Sequence, residues 1–313
     1  MTIQIGISAC VLGEKVRYDG GHKNSVFCSD VLANFVTFVP VCPEQAIGMP
    51  VPRPAIRLQQ NPDGEISLVN SKDNRLDFTQ QMLSFSAQIL PRLQHLSGYI
   101  VCAKSPSCGM ERVRLTDAKG ALLGKVGVGL FTRQLMQTYP WLPVEEDGRL
   151  LDPALRENFI TRVYTLAAWH QLLASGFTIG KLVEFHSQFK FLIMAHHPVA
   201  YRSLGRLVAQ AKLFAPEALA QRYLLELMQA LQQQATRKQH ANVLMHLQGF
   251  FKKMLSAAAK QELLEVIHQY RLGHAPLLAP LTLLKHHLRT YPHQYVAAQR
   301  YLLPFPAELG LRA

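Results

Sequence analysis

Around residue 150 the hydrophobic pattern of this chain changes period, so no single architecture accommodates all of it. Upstream, short β-favouring apolar runs alternate with amphipathic stretches. Residues 3–9 (IQIGISA), 36–42 (VTFVPVC) and 98–103 (GYIVCA) read as strands, although Pro40 weakens the second. Asn24 or Ser25 stands where a helix cap belongs, with the helix running to about residue 35. Residues 57–69 have the pattern of a hairpin turning at Pro62-Asp63-Gly64. Residues 73–95 read as a helix with Leu76, Met82, Phe85 and Leu90 turned inward, and 126–139 as a short strand or loop entering a helix. Such alternation predicts an α/β domain with a mostly parallel sheet. The acidic, proline-bearing stretch near 140–152 reads as a linker. Beyond about 153 the period is helical to the end. Phe185, Phe189, Leu192 and Ile193 form one apolar stripe; Val243, Leu247, Phe250, Phe251 and Met254 form another. The expected organisation is therefore an α/β domain over residues 1–145 and an all-α domain over residues 146–313.

The length of 313 residues suits two domains, and 49% hydrophobic against 17% charged residues excludes a disordered chain. No apolar run reaches ~18 residues and no basic segment leads into a long apolar one, so the expectation is a cytoplasmic protein without a membrane span.

Charge is segregated along the chain. Residues 1–150 carry 15 basic and 13 acidic side chains; residues 151–313 carry 18 and 8. Eleven of the 13 histidines lie in the second half, and all five cysteines in the first. A basic half suits a polyanion such as nucleic acid, or simply keeps the protein soluble.

An odd cysteine count in a chain of this length is not a disulfide framework. Cys10 and Cys42 end the first two predicted strands, and Cys108 follows the third in SPSCG. The carboxyl ends of parallel strands open onto one crevice, so residues far apart in sequence converge there. Three thiols at one address suit zinc or an iron–sulfur cluster with one metal position left open; ordinary buried cysteines are the competing reading. Cys28, in a predicted helix, and Cys102, inside an apolar strand, read as core residues, with Cys102 the one ambiguity in the ligand set. GKVGVG (Gly124, Gly127, Gly129) is not a dinucleotide fingerprint, no phosphate-binding Walker pattern occurs, and no radical-adenosylmethionine cysteine triplet is present.

The segments ISACVLGEKVRYDGGHK, VCPEQAIGMPVPRP and KSPSCG together resemble the thiouracil desulfurase family over about residues 1–145. FHSQFKFLIMAHHPVAYRSLGRLV resembles the domain often fused behind it, and the fusion is similar to the bacterial tRNA 4-thiouridine desulfidases. The resemblance implies a 4Fe–4S cluster held by Cys10, Cys42 and Cys108, with one iron free of protein ligands. It places the catalytic glutamate at Glu44 and the catalytic serine at Ser105. The open iron would take the C4 sulfur of 4-thiouridine in tRNA, and Glu44 would activate a water. Ser105 would hydrogen-bond the substrate or relay a proton, and sulfide would leave without electron transfer or ATP. The plainer reading of Glu44 is an ion pair with Arg53 or Lys104. Asp19, Lys23 and Lys104 flank these loops and either orient the base or order the loops. Arg53 and Arg57 read as phosphate contacts or as surface arginines.

In the second half, His186, Lys190 and His197 fall on one helical face. That face suits a phosphate or a metal, although solvated or capping histidines are the plainer reading. The adjacent pairs His196-His197 and His286-His287 diverge on a helix and chelate poorly. Lys238, Lys252, Lys253, Lys260, Arg289 and Arg300 are the candidate RNA contacts. Two rival readings stay open: a desulfurase of free thiouracil or thiouridine, and a non-catalytic nucleic-acid-binding protein with a structural zinc.

Overall fold

The computed structural model describes residues 2–311. The chain divides into two compact units between Phe159 and Ile160.

The first unit is built on two four-stranded sheets. β1 (Gln4–Ser8), β2 (Thr37–Val41), β5 (Gly98–Val101) and β8 (Val144–Glu146) form one, in the order β2-β1-β5-β8 and parallel throughout. β3 (Ile56–Gln60), β4 (Ile66–Asn70), β6 (Val113–Thr116) and β7 (Leu122–Gly127) form the other, in the order β4-β3-β6-β7. Here β3 and β6 are parallel, while β3–β4 and β6–β7 are antiparallel hairpins. α1 (Pro43–Ala46), α2 (Thr79–Leu93) and α3 (Leu130–Thr138) complete the unit. The alternation read from the sequence is thus an α/β fold with a fully parallel sheet at its centre.

Several elements differ from the expectation. The helix expected to end near residue 35 is a π-helical turn (Phe27–Val31) running into a 3₁₀ turn (Leu32–Asn34). The helix expected from residue 73 starts at Thr79, because Asn70 and Asp73 accept backbone N–H bonds in a turn that holds residues 70–75 out of helix. Leu76 is accordingly exposed, while Met82 and Leu90 are buried. The expected linker is instead β8, the edge of the parallel sheet, with Glu145, Glu146 and Asp147 all buried. Carboxylates rarely sit inside a fold unless paired; these accept bonds from Arg149, from backbone N–H groups and from Lys23.

The order β2-β1-β5 places the chain reversal beside β1. From β1 it steps to one side for β2, then crosses back for β5 on the other. In an open parallel sheet this switch leaves a crevice at the carboxyl ends of the strands. The second sheet supplies a further wall of that crevice through Arg57, Arg114 and Lys125.

Beyond β8 the chain is helical, as expected. α4 (Pro153–Ala174) crosses the division between the units. It is followed by α5 (Ile179–His196), α6 (Pro198–Ala209), α7 (Pro216–Gln232), α8 (Arg237–Gly249), α9 (Ala257–Leu272), α10 (Leu278–Thr290) and α11 (Gln294–Ala297). α5 packs against α6, α7 and α8 and presents the predicted stripe; Phe185, Phe189, Leu192 and Ile193 are buried. Trp169 stacks on Tyr223 at 5.3 Å in the same core. The second stripe holds at Val243, Leu247 and Phe251, whereas Met254 is exposed because α8 has already ended. Thr178, Thr236 and Ser256 cap their helices, Thr236 in a capping box with Gln239. No described helix is long and apolar enough to cross a membrane.

Candidate active site

Each thiol reaches the crevice because its strand ends there. Cys10 lies in the 3₁₀ turn Ala9–Leu12 after β1. Cys42 follows β2 and precedes α1, and Cys102 directly follows β5. Cys108 lies in the loop beyond β5. All four line one cleft of about 1110 Å³, together with Glu44, Ser105 and Ser107. Cys102, expected in the core, is therefore a fourth thiol of the cleft; Cys28 is a core residue as expected.

The Cys108 loop is tightly set. The Ser105 hydroxyl accepts from the backbone N–H of Cys108 at 3.1 Å and of Ser107 at 3.3 Å. The Thr132 hydroxyl of α3 donates to the Cys108 carbonyl at 2.6 Å. Gly129, the residue before α3, packs so closely that a methyl group there would stand 2.5 Å from the Ser107 carbonyl carbon. Gly127 and Gly129 of the glycine run are thus there for close packing, Gly127 against Leu58 and the Val113 carbonyl.

Glu44 stands at the first turn of α1. Its Oε2 accepts from Arg53 Nε at 2.8 Å and Nη2 at 2.5 Å, and its Oε1 accepts from the Ser107 hydroxyl at 2.6 Å. The predicted ion pair with Arg53 is present. Arg53 is not a surface residue: its side chain is 2% exposed and also donates to the carbonyls of Val16 and Pro50. Ser107 and Ser105 share a hydrogen bond of 2.9 Å, so Glu44, Ser107 and Ser105 form one hydroxyl–carboxylate chain. Motif reading alone does not single out Ser107. It lies in the same Ser-Pro-Ser-Cys run as Ser105, and only the loop conformation decides which serine meets the carboxylate.

The thiols feel one another. Cys10 is pushed far above the usual thiol range, first by its hydrogen bond with Cys102, then by burial and the thiols of Cys102, Cys108 and Cys42. Cys102 is pushed down, chiefly by that same bond and against burial, with Lys23 and Arg17 also favouring its thiolate. Burial raises Cys42, and raises Cys108 to about 12, with Glu44 adding to the latter. The Tyr99 hydroxyl is buried without a hydrogen-bond partner and close enough to Cys108 and Cys42 to feel their charge.

This donor set fits an iron–sulfur cluster. Thiolates are soft ligands for iron, and four thiols line one cleft. Among the described residues no group of three His, Cys, Asp or Glu side chains is set to hold a single metal ion.

Nine cationic side chains line the cleft against two carboxylates, Glu44 and Glu146. Arg17, Lys23, Arg53, Arg112 and Arg149 are each paired with a carboxylate. Arg57, Lys104, Arg114 and Lys125 face none among the described residues. Arg57 donates to Thr116, Gln59 and the Asp117 carbonyl, all uncharged groups. Asp19 orders its own loop, accepting from Gly21 N and pairing with Arg17.

In the helical unit the predicted face of His186, Lys190 and His197 serves packing and capping. His186 Nδ1 shares a hydrogen bond with the Tyr223 hydroxyl at 3.0 Å, and burial lowers its pKa to about 4. Lys190 lies over the Tyr295 ring, and His197 caps α6. His286 is exposed and His287 buried, as their adjacency on a helix requires. Lys238, Lys252, Lys253, Arg289 and Arg300 are exposed and Lys260 is half-buried.

Residues 5–147 match the family model described as 2-thiouracil desulfurase, and residues 190–306 match one described as a protein of unknown function, DUF1722. The chain belongs to the 2-thiouracil desulfurase family through its first unit and carries the DUF1722 domain in its second. It is 34% identical over 157 residues to the uncharacterized protein YbgA of Escherichia coli strain K12, a match spanning 50% of this chain and 93% of that protein. It is also similar to a solved structure, a 4Fe–4S-dependent thiouracil desulfidase. That match has 30% identity over 48% of this chain and 93% of the other, with a TM-score of 0.39.

Proposed function

We propose that the protein is an iron–sulfur desulfidase that converts 4-thiouridine in tRNA to uridine, releasing sulfide. The observation that carries this reading is the shared cleft. Cysteine thiols, the Glu44–Ser107–Ser105 chain and four cations that have no carboxylate partner among the described residues all line one space. The first two suit hydrolysis of a thiocarbonyl; the cations suit a phosphate-bearing substrate rather than a bare base.

Cys10, Cys42 and Cys108 would hold a 4Fe–4S cluster and leave one iron without a protein ligand. When bound, such a cluster supplies a soft Lewis acid for a thiocarbonyl sulfur. The reaction balances as C=S plus water giving C=O plus hydrogen sulfide, with no change of oxidation state. Glu44 has both oxygens engaged but keeps lone pairs for a water, since a carboxylate offers about four acceptor positions. Arg53 fixes the carboxylate plane. Ser107 steers Oε1 and passes a proton along to Ser105, from which it reaches the departing sulfur. Arg57, Arg114 and Lys125 meet phosphate at the rim, while the basic helical unit supplies further tRNA contacts.

The test is anaerobic. Protein reconstituted with iron and sulfide is incubated with bulk bacterial tRNA, which is then digested to nucleosides for mass spectrometry. Loss of 4-thiouridine with matching sulfide release is expected. Intact 4-thiouridine in tRNA alongside turnover of free thiouracil would assign the small-molecule substrate instead. Zinc in place of iron, with neither substrate consumed, would overturn the enzyme reading.

A further inference from the structure

Strand β8 contributes no thiol, yet the carboxylates of Glu146 at its end and Asp147 just beyond it touch the thiol-bearing loops of the cleft. Asp147 Oδ1 accepts from the backbone N–H of Ala103, the residue after Cys102, at 2.8 Å. The same carboxylate takes the Lys23 ammonium, at 3.1 Å to Oδ1 and 2.9 Å to Oδ2. The Lys23 backbone N–H in turn donates to the Cys10 carbonyl at 2.8 Å. Asp147 therefore couples the turn after β1 to the turn after β5. One residue earlier, Glu146 Oε1 accepts from the N–H groups of Met110 at 3.2 Å and Glu111 at 3.4 Å, just past Cys108. The ladder bond from Asp147 N to the Val101 carbonyl, 3.0 Å, anchors both carboxylates to the rigid sheet.

We infer that Asp147, paired with Lys23 and seconded by Glu146, is a positioning residue that pre-sets the spacing of the Cys10, Cys102 and Cys108 loops before a cluster binds; this rests on the iron–sulfur desulfidase reading. The physical need is clear. Cys10 and Cys108 lie 98 positions apart in sequence. The turns carrying them belong to different strands, β1 and β5, and are joined through Asp147 and Lys23 rather than by neighbouring sequence. A cage that must form during metal capture would lose affinity to the cost of ordering its loops. Buried carboxylates accepting backbone N–H bonds supply that order beforehand, and an Asp 8% exposed is not held there for solubility. Outer residues of this kind change metal affinity by about 10- to 100-fold when removed.

The experiment compares the full-length wild type with Asp147→Asn, Lys23→Met and Lys23→Arg. Each is reconstituted anaerobically, and each is assayed for iron and sulfide content, for iron release to a chelator and for the electron paramagnetic resonance of the reduced cluster. Lys23 is partly exposed and its substitution does not empty a core site, so K23M tests the idea even if D147N fails to fold. Release about 10- to 100-fold faster in K23M and D147N, an altered resonance, and recovery in K23R are the expected results. Wild-type release rates and spectra in folded K23M and D147N would overturn the inference. A wild type that takes up no cluster would instead sink the desulfidase reading. Asp73→Asn, which breaks only the exposed pair with Arg75, is the control expected to leave every readout unchanged.

Discussion

The proposed reaction turns on Glu44, and its neighbours Arg53 and Ser107 define what removing it would show. Glu44→Gln keeps the shape and a hydrogen bond to Ser107 but cannot act as a base. The variant is expected to keep its iron and lose turnover by about 10²- to 10⁴-fold; wild-type kcat would remove Glu44 from the base role. Replacing Arg53 by Met would be harsher for the fold, because it strands a carboxylate that is 13% exposed, at a typical cost of about 3–5 kcal/mol. The thiols make a separate, pH-dependent statement. The Cys108 thiol is pushed up to about 12 from an ordinary 9.0, so the folded chain holds its proton more tightly than the unfolded chain. That contribution is fully present below about pH 9 and is lost as pH rises toward 12, by about 1.4 kcal/mol per unit. Thermal unfolding of cluster-free protein between pH 8 and 10 should show a falling midpoint, with a shallower slope in Cys108→Ala. Equal slopes would mean that Cys108 is not the titrating thiol.

At the scale of elements, α3 acts as the buttress of the Cys108 loop. The Thr132 hydroxyl holds the Cys108 carbonyl, and Gly129 allows the start of the helix to lie against the Ser107 backbone. Gly129→Ala pushes backbone against backbone, which a side-chain rotation cannot relieve. The expected result is unchanged helix content by circular dichroism together with loss of iron uptake. Normal iron in that variant would show that the loop has slack. β8 illustrates the same principle from the other side of the site. Three residues suffice for a strand because the ladder to β5 is reinforced by carboxylate bonds to neighbouring loops.

For the molecule as a whole, charge and chemistry stay on separate stretches of chain. The thiols and the carboxylate are in the first unit, and most of the excess positive charge is in the second. Lys252 and Lys253 are exposed just beyond α8, and neither bears on a core. Reversing both to Glu should weaken tRNA binding and flatten its dependence on salt, by about 0.7–0.9 in log–log slope for each phosphate no longer neutralised. Filter binding across a salt series measures this. An unchanged slope would put the RNA-binding surface elsewhere. Iron content should be unaffected.

Much of this protein was legible as pattern. The strands that lead into the Cys10 and Cys42 turns, the hairpin at Pro62-Asp63-Gly64 and the stripe of α5 are local regularities, and periodicity reports them because each is repeated by neighbours in sequence. The break near residue 150 separated the two architectures for the same reason. What the sequence left undecided was long-range. Whether Cys102 faced core or cleft depended on where β5 ended relative to β1. Ser107 rather than Ser105 meets Glu44 because of a loop conformation fixed by α3. The segment around Glu145, Glu146 and Asp147 looked like a solvated linker because burial of carboxylates is unfavourable on its own. Only partners far away in the chain, Lys23 and the backbone of Ala103, Met110 and Glu111, make that burial acceptable. Sequence determined which groups the chain could bring to chemistry and where its elements lie. Tertiary structure decided which of those groups meet, because burial and hydrogen bonding are properties of neighbours in space.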